Sequence, residues 1–390
     1  MTERQASRMK EIQFSGIREV FDQVNELERD GEDIVHMEIG RPDFDTPKRI
    51  KRAAGKALEE GKVHYTNSAG ILELRQALSE KFRQENDLDY SSDEIVVTAG
   101  ASEAIFSSFL AFLNQGNEVL IPEPMYVYYA DWPQFAGAKT VPVPLSSDEG
   151  FQPVPELIEQ QINPETAMLV INTPQNPTGA VFEKSKLREV AEIAKANDLL
   201  VLADEIYEYM TFGKTQHTSI ASLPGMRSRT ITINGFSKAY SMTGWRLGYL
   251  AAPRELIPPI LKTRQHTSNC PCSFAQWGAL EGVKNCSKQV EHMVKEFGRR
   301  NQLVCERLEE SPYFDLGNPT GAFYAFPSIR NTQMDDQELA DFLLEKAGVA
   351  VVPGSCFGQA GQGHVRIAYS TSQERLQQGF DRIEKALHDH

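Results

Sequence analysis

Two kinds of hydrophobic spacing divide the chain. Ile17, Val20, Phe21, Val24 and Leu27 recur at helical intervals and predict a helix within residues 10–30. Gly40-Arg41-Pro42-Asp43-Phe44-Asp45-Thr46-Pro47 interrupts it with an irregular, ordered loop. Thr46 and Pro47 then read as the N-cap and first residue of a helix reaching about residue 60. A polar loop at His64-Tyr65-Thr66-Asn67-Ser68-Ala69-Gly70 precedes another helix over 72–84. From residue 93 to 252, short apolar runs alternate with helical ones. Strands are predicted at 95–98, 118–121, 139–143, 168–172, 199–203, 230–234 and 247–251, and helices at 101–113, 155–161 and 184–197. This pattern predicts an α/β fold with a mostly parallel seven-stranded sheet covered by helices on both faces. After Pro253 the texture turns helical, with a long helix over 287–309 leading away from the sheet. The remainder reads as a smaller α/β domain. Two domains are therefore expected: residues 46–285 form the large one, and 1–45 with 286–390 form the small one.

Composition narrows the setting. The 390 residues are 41% hydrophobic and 24% charged, as in a globular protein. Fifty-four acidic against 40 basic residues leave a net charge of −14, a field that repels nucleic acid and anionic membranes. No apolar run has the length of a membrane span, and the polar start Met1-Thr2-Glu3-Arg4-Gln5 is unlike a signal peptide. Five cysteines make no disulfide framework, so the expected setting is a reducing cytoplasm. Cys270-Pro271-Cys272, with His266 nearby, lacks a second ligand pair at zinc-type spacing. These cysteines read as buried small hydrophobes, and no metal is expected.

In open α/β sheets, ligands collect beyond the carboxyl ends of the strands, and that is where the polar loops fall. Asn234-Gly235-Phe236-Ser237-Lys238 continues to Gly244-Trp245-Arg246 between two apolar runs. A lysine amine condenses with carbonyl groups, while Ser237 and Arg246 can hold a phosphate. Thr98-Ala99-Gly100-Ala101-Ser102 joins a strand to a helix, where small residues let backbone N–H groups approach an anion. Tyr126 follows another strand and can stack on a flat ring or pack in the core. Asn176, in an Asn-Pro-Thr-Gly turn, can donate to a ligand oxygen or merely close the turn. Asp204 ends the apolar run 199–203 and needs a cationic or hydrogen-bonding partner, a protonated ring nitrogen or a salt bridge. Arg366, in Val365-Arg366-Ile367-Ala368-Tyr369, needs a carboxylate from a substrate or from an acidic side chain.

Taken together and in order, Gly40 to Pro47, Tyr65, Gly100 to Ser102, Asn176 to Gly179, Asp204 to Tyr207, Ser237-Lys238 with Gly244 to Arg246, and Arg366 closely resemble the class I/II aminotransferases dependent on pyridoxal 5'-phosphate. The resemblance spans nearly the whole chain and implies the fold type I architecture of aspartate aminotransferase. It implies that Lys238 binds the cofactor covalently and moves the substrate Cα proton. Asp204 would pair with the ring nitrogen, Tyr207 and Asn176 with the phenolic oxygen, and Tyr126 would stack on the ring. Gly100, Ala101, Ser102, Ser237 and Arg246 would cradle the phosphate, reached also by Tyr65 from the second subunit of a homodimer. Gly40, Asn176 and Arg366 would clamp the substrate α-carboxylate. The implied reaction is a ping-pong transfer from an L-amino acid, aspartate or aromatic, to a 2-oxo acid such as 2-oxoglutarate. A carbon–sulfur β-lyase on the same fold and a non-catalytic regulatory module binding the same cofactor are the alternatives. Arg41 stands where the family commonly has an acidic residue and is expected at the site's mouth. Arg264 is expected at the solvated surface, its alternative being a grip on a distal carboxylate.

Overall fold

A computed structural model describes residues 5–10, 12, 14–317 and 319–390. Met1 to Arg4, the start expected to be unlike a signal peptide, lie outside the described residues, as do Glu11, Gln13 and Asn318.

The strands are β1 (Val35–His36), β2 (Ile95–Thr98), β3 (Glu118–Glu123), β4 (Lys139–Pro144), β5 (Thr166–Asn172), β6 (Leu200–Asp204), β7 (Thr230–Gly235), β8 (Gly248–Ala251), β9 (Tyr324–Ala325), β10 (Val349–Ala350), β11 (Val352–Pro353) and β12 (Val365–Ala368). The α-helices are α1 (Gly16–Arg29), α2 (Lys48–Glu59), α3 (Leu72–Glu85), α4 (Ala101–Phe112), α5 (Pro155–Gln161), α6 (Lys184–Ala196), α7 (Ile257–Gln265), α8 (Ser273–Asn285), α9 (Ser287–Glu310), α10 (Asp336–Phe342) and α11 (Gln373–His388). Seven strands form one sheet in the order β2-β8-β7-β6-β5-β3-β4. Strands β6, β5 and β3 are apolar and buried on both faces, as parallel strands under helices must be. Strand β8 runs antiparallel to both neighbours. It follows β7 through a single loop, residues 236–247, that holds no α-helix of the kind that usually carries a crossover to a parallel neighbour.

The sheet sets the site. Tyr126 lies just beyond β3, Asn176 beyond β5, and Asp204 at the end of β6. Lys238 lies in the β7–β8 loop, and α4 begins just after β2. All of these fall at the carboxyl ends of mutually parallel strands. Helix α9 buries Val290, Met293, Phe297, Arg300, Val304 and Leu308 at three- and four-residue intervals, and Met293, Phe297, Val304 and Leu308 of that face share one core with residues of β9, β10 and β12. Outside the main sheet, β1 pairs parallel with β10, and β11, β12 and β9 form an antiparallel sheet. The Met37 N–H donates to Ala350 O (3.0 Å) and Ala368 N–H to Met37 O (2.7 Å), so an N-terminal strand is stitched into C-terminal structure.

Three local expectations change. Thr46 does not cap α2; Pro47 holds that position. The Thr46 hydroxyl instead donates to Ser241 O (2.6 Å) and accepts from Trp245 Nε1 (3.1 Å), because tertiary partners outcompete a local cap. Cys272 is exposed and Cys270 half-buried, since both sit in the turn before α8 and not in the core. Arg264 is completely buried. Its Nε lies 3.2 Å from Glu103 Oε2, and Nη1 donates to Ser68 O. Its position on the inner face of α7, opposite α4, buries it, and Glu103 compensates the charge.

Candidate active site

A cavity of about 510 Å³ opens at the carboxyl edge of the sheet. Gly40, Ala101, Ser102, Tyr126, Asn176, Asp204, Tyr207, Ser237, Lys238, Arg246 and Arg366 line it or its mouth, so the structure brings these expected residues together. Gly100 lies immediately behind. Tyr65 does not line it, and 88% of that residue is exposed to solvent.

The Lys238 amine donates to Gly40 O (2.5 Å) and stands 5.4 Å from the ring centroids of Tyr207 and Phe323. Burial, with Arg366 nearby, pulls its pKa down to about 7, against the opposing pull of Asp204. Asp204 accepts from the Tyr129 hydroxyl and from Ile206 N–H (3.1 Å). Burial pushes its carboxyl up to about 6, partly offset by the Tyr129 bond. Among the described residues no cation forms an ion pair with it. Behind it, Asn172 Nδ2 donates to Asp204 O (3.0 Å), and Asn172 Oδ1 accepts from Asn176 N–H (3.0 Å). One asparagine thus ties the end of β6 to the turn after β5.

Arg366 is 2% exposed, yet no carboxylate among the described residues pairs with it. Its Nη1 donates to Asn176 Oδ1 (3.1 Å), its Nη2 to Glu38 O (2.5 Å), and its Nε has no partner. The guanidinium lies 4.7 Å from the Tyr324 ring centroid and 5.0 Å from that of Phe357. A buried cation with only neutral acceptors is costly unless an anion arrives. Of the two partners the sequence left open, an acidic side chain is therefore not the one found.

At the other end, Gly100 adopts φ +87 before α4. A Cβ there would lie 2.8 Å from Arg246 Nη2, and one on Gly248 would lie 2.4 Å from Ala101 N. Both glycines let a guanidinium and a strand approach the N-terminus of α4. The N–H groups of that terminus, Arg246, Ser102 and Ser237 converge on one end of the cavity, a setting for a phosphate.

Two further lining residues escaped the sequence reading. Tyr324 shares a hydroxyl–hydroxyl bond with Tyr207 (2.8 Å), and a Cβ on Gly40 would lie 2.1 Å from the Tyr324 hydroxyl. Asn172 ends the strand predicted at 168–172, where the sequence assigns it no role. Tyr129, the partner of Asp204, was hidden in the run Tyr126-Val127-Tyr128-Tyr129, where nothing local separates inward from outward rings. Outside the cavity lining, Glu205, Glu208 and His217 bring ligand-capable atoms within 4.8 Å of one another, a grouping their spacing does not reveal. His217 Nε2 lies 3.1 Å from Glu205 Oε2, while Glu208 accepts from Lys81 and Asn86.

The profile of the family described as "Aminotransferase class I and II" matches residues 32–383. The chain belongs to the class I and II aminotransferases. An aromatic-amino-acid aminotransferase 2 of Thermococcus litoralis is 43% identical, over 98% of each chain. An aspartate aminotransferase of Pyrococcus abyssi is 42% identical, again over 98% of each. The structure of the Thermus thermophilus aspartate aminotransferase with maleate superposes with a TM-score of 0.94 at 39% identity, over 98% of this chain and 99% of the other. This aminotransferase therefore has the fold type I architecture expected from its residues, and it is an enzyme that transfers amino groups. Among its described residues no helix is long and apolar enough to cross a membrane.

Proposed function

We propose that this aminotransferase uses pyridoxal 5'-phosphate and transfers an amino group from aspartate or an aromatic amino acid to a 2-oxo acid, 2-oxoglutarate, by a ping-pong mechanism. The donor set fits that cofactor. The glycine-lined cradle at Gly100 and Gly248 leaves room for a phosphate against Ala101, Ser102, Ser237 and Arg246. The buried Asp204 carboxylate lacks the cation that a protonated ring nitrogen would supply. Tyr126 offers a ring face, while Tyr207 and the Nδ2 group of Asn176 offer donors for the phenolic oxygen.

When bound, pyridoxal phosphate supplies an aldehyde for amines and a ring that withdraws electrons. Lys238 holds and moves protons. With its pKa near 7, much of the amine is neutral at neutral pH and can accept the proton from the substrate Cα. Gly40 O, bonded to Nζ, aims it. Asp204, oriented by Tyr129 and Ile206 N–H, holds the ring nitrogen's proton. Arg366, assisted by Asn176 and Gly40, fixes the α-carboxylate and so presents the Cα–H bond to Lys238. Such fixed orientation is worth up to about 7–11 kcal/mol in favourable cases.

The reading includes a homodimer with shared sites. Leu58, Val63, Tyr65 and Leu72 expose apolar surface along one stretch, and Tyr65 would reach the neighbouring subunit's phosphate cradle. It includes a division into domains at 46–285 and 1–45 with 286–390, and a cytoplasmic setting. The Thermus thermophilus aspartate aminotransferase structure is one with maleate, a dicarboxylate, which supports a dicarboxylate partner for this chain as well.

The observation that carries the reading is one cavity holding an amine lowered to about 7, an uncompensated buried carboxylate and an uncompensated buried guanidinium. Borohydride reduction of the purified enzyme followed by peptide mass analysis tests it. The expected result is a pyridoxyl group on Lys238 in the wild type, and loss of both label and transamination in Lys238→Ala. An unlabelled Lys238, or a fully active Lys238→Ala, overturns it.

A further inference from the structure

The transaminase reading requires one site to accept substrates that share an α-carboxylate but differ beyond it. The cations lining the cavity are Arg18, Arg41, Lys238, Arg246 and Arg366. Lys238 is held by Gly40 O for proton transfer, Arg246 lies over Gly100 at the anion cradle, and Arg366 is buried beside Asn176. None of these three is free for a second carboxylate. Arg264 is not available either, because Glu103 neutralises it away from the cavity.

That leaves the mouth. Arg18, on α1, already faces Asp22 at 3.7 Å. Arg41 follows Gly40 directly, so its backbone begins next to the carbonyl that holds Lys238. It is exposed, borders the cavity, and has no hydrogen-bond or ion-pair partner among the described residues. Apolar groups share the mouth: Ile17, Phe21, Val127 and Tyr128.

Resting on that reading, we propose that Arg41 is the specificity residue that receives the distal carboxylate of a dicarboxylate substrate, while the apolar rim takes neutral and aromatic side chains. A substrate anchored at Arg366 and Lys238 projects its remaining atoms toward the mouth. A guanidinium there meets a second carboxylate by charge-assisted hydrogen bonds. Neutral side chains lose nothing by leaving a solvated arginine in water. The energetic cost of a mismatch is therefore small in one direction and large in the other.

The test uses the cofactor-loaded enzyme and the variants Arg41→Gln, Arg41→Lys and Arg41→Glu, with Arg18→Gln as a comparison. Two quantities are read. One is the ratio of kcat/KM for aspartate to that for phenylalanine in the amino-donor half-reaction. The other is the dissociation constant of succinate, a dicarboxylate with no amine to react, from isothermal titration. Arg41→Gln is expected to lower the ratio about 10- to 100-fold and to weaken succinate to a similar degree, the scale of one lost charge-assisted contact. Arg41→Glu lowers both further, Arg41→Lys restores part, and Arg18→Gln changes them less than Arg41→Gln. An unchanged ratio and unchanged succinate binding in Arg41→Gln overturn the assignment while leaving transamination intact. A wild type that binds succinate through Arg41 but converts neither amino acid counts against the proposed aspartate or aromatic donor instead.

Discussion

Asp204 is a carboxylate that burial holds at about 6, above its ordinary 3.8. A group raised in this way favours the fold most below its ordinary value and withdraws that support as pH climbs through 6. In cofactor-free protein, Asp204→Asn should therefore be more stable than the wild type above pH 6, by at most about 3 kcal/mol, with the gap closing toward pH 4. Urea unfolding at a series of pH values measures it. The loaded enzyme should show the opposite cost, a large loss of activity in Asp204→Asn. His36 behaves differently because it is half-exposed. Bonded to Glu38 and Glu28, its imidazole is raised to about 9, so its contribution is complete below 6.5 and fades as pH rises through 9. His36→Asn should flatten the alkaline limb of the stability curve. Arg366→Ala should lower kcat/KM for aspartate and phenylalanine alike, by about 2–5 kcal/mol, because the α-carboxylate is common to both. At this scale the sequence was informative wherever a charged residue ended an apolar run, as Asp204 does, or sat inside one, as Arg366 does. Tyr129, Asn172 and Tyr324 were opaque because their roles depend on strands and loops far along the chain.

Elements were legible by length and period. Strands β2 to β7 and helices α3, α4, α6 and α9 fall within a few residues of the positions their hydrophobic spacing predicts. What spacing cannot convey is direction, and β8 runs against its neighbours because the loop holding Lys238 returns the chain at once. That reversal brings Gly248 against the start of α4, where a Cβ would meet backbone atoms of Gly100 and Ala101 at 2.4–2.5 Å. Backbone cannot rotate away as a side chain can. Gly248→Ala should thus cost about 1–3 kcal/mol of stability, and should weaken phosphate and cofactor binding more than it alters any catalytic side chain. Comparing thermal unfolding with and without pyridoxal phosphate separates the two effects. Thr46 shows the reverse case: its local signal was correct for a cap, but Ser241 and Trp245 offered better partners.

At the scale of the molecule, long-range pairs hold the site together. Arg300 on α9 makes a two-pronged bond to Asp43 (2.7 and 3.0 Å) in the same loop as Gly40 and Arg41. The Asp43 side chain is 34% exposed, so Arg300→Ala leaves it solvated but frees the loop. We expect kcat/KM to fall severalfold, and the Arg300–Asp43 double-mutant cycle to show about 0.5–3 kcal/mol of coupling. The layered α/β architecture was readable from alternation alone, whereas the burial of Arg264 was not, since it depends on α4 and α7 meeting. The distances along the chain have a consequence for biosynthesis. Lys238 takes its carbonyl partner from Gly40, 198 residues earlier, and Asn176 takes its guanidinium from Arg366, 190 residues later. A nascent chain emerging from the ribosome carries every strand of the seven-stranded sheet and the anion cradle once residue 251 is out, yet it lacks the carboxylate clamp until Arg366 follows. The anion cradle is thus present in the chain well before the guanidinium that grips an α-carboxylate, which arrives only with β12.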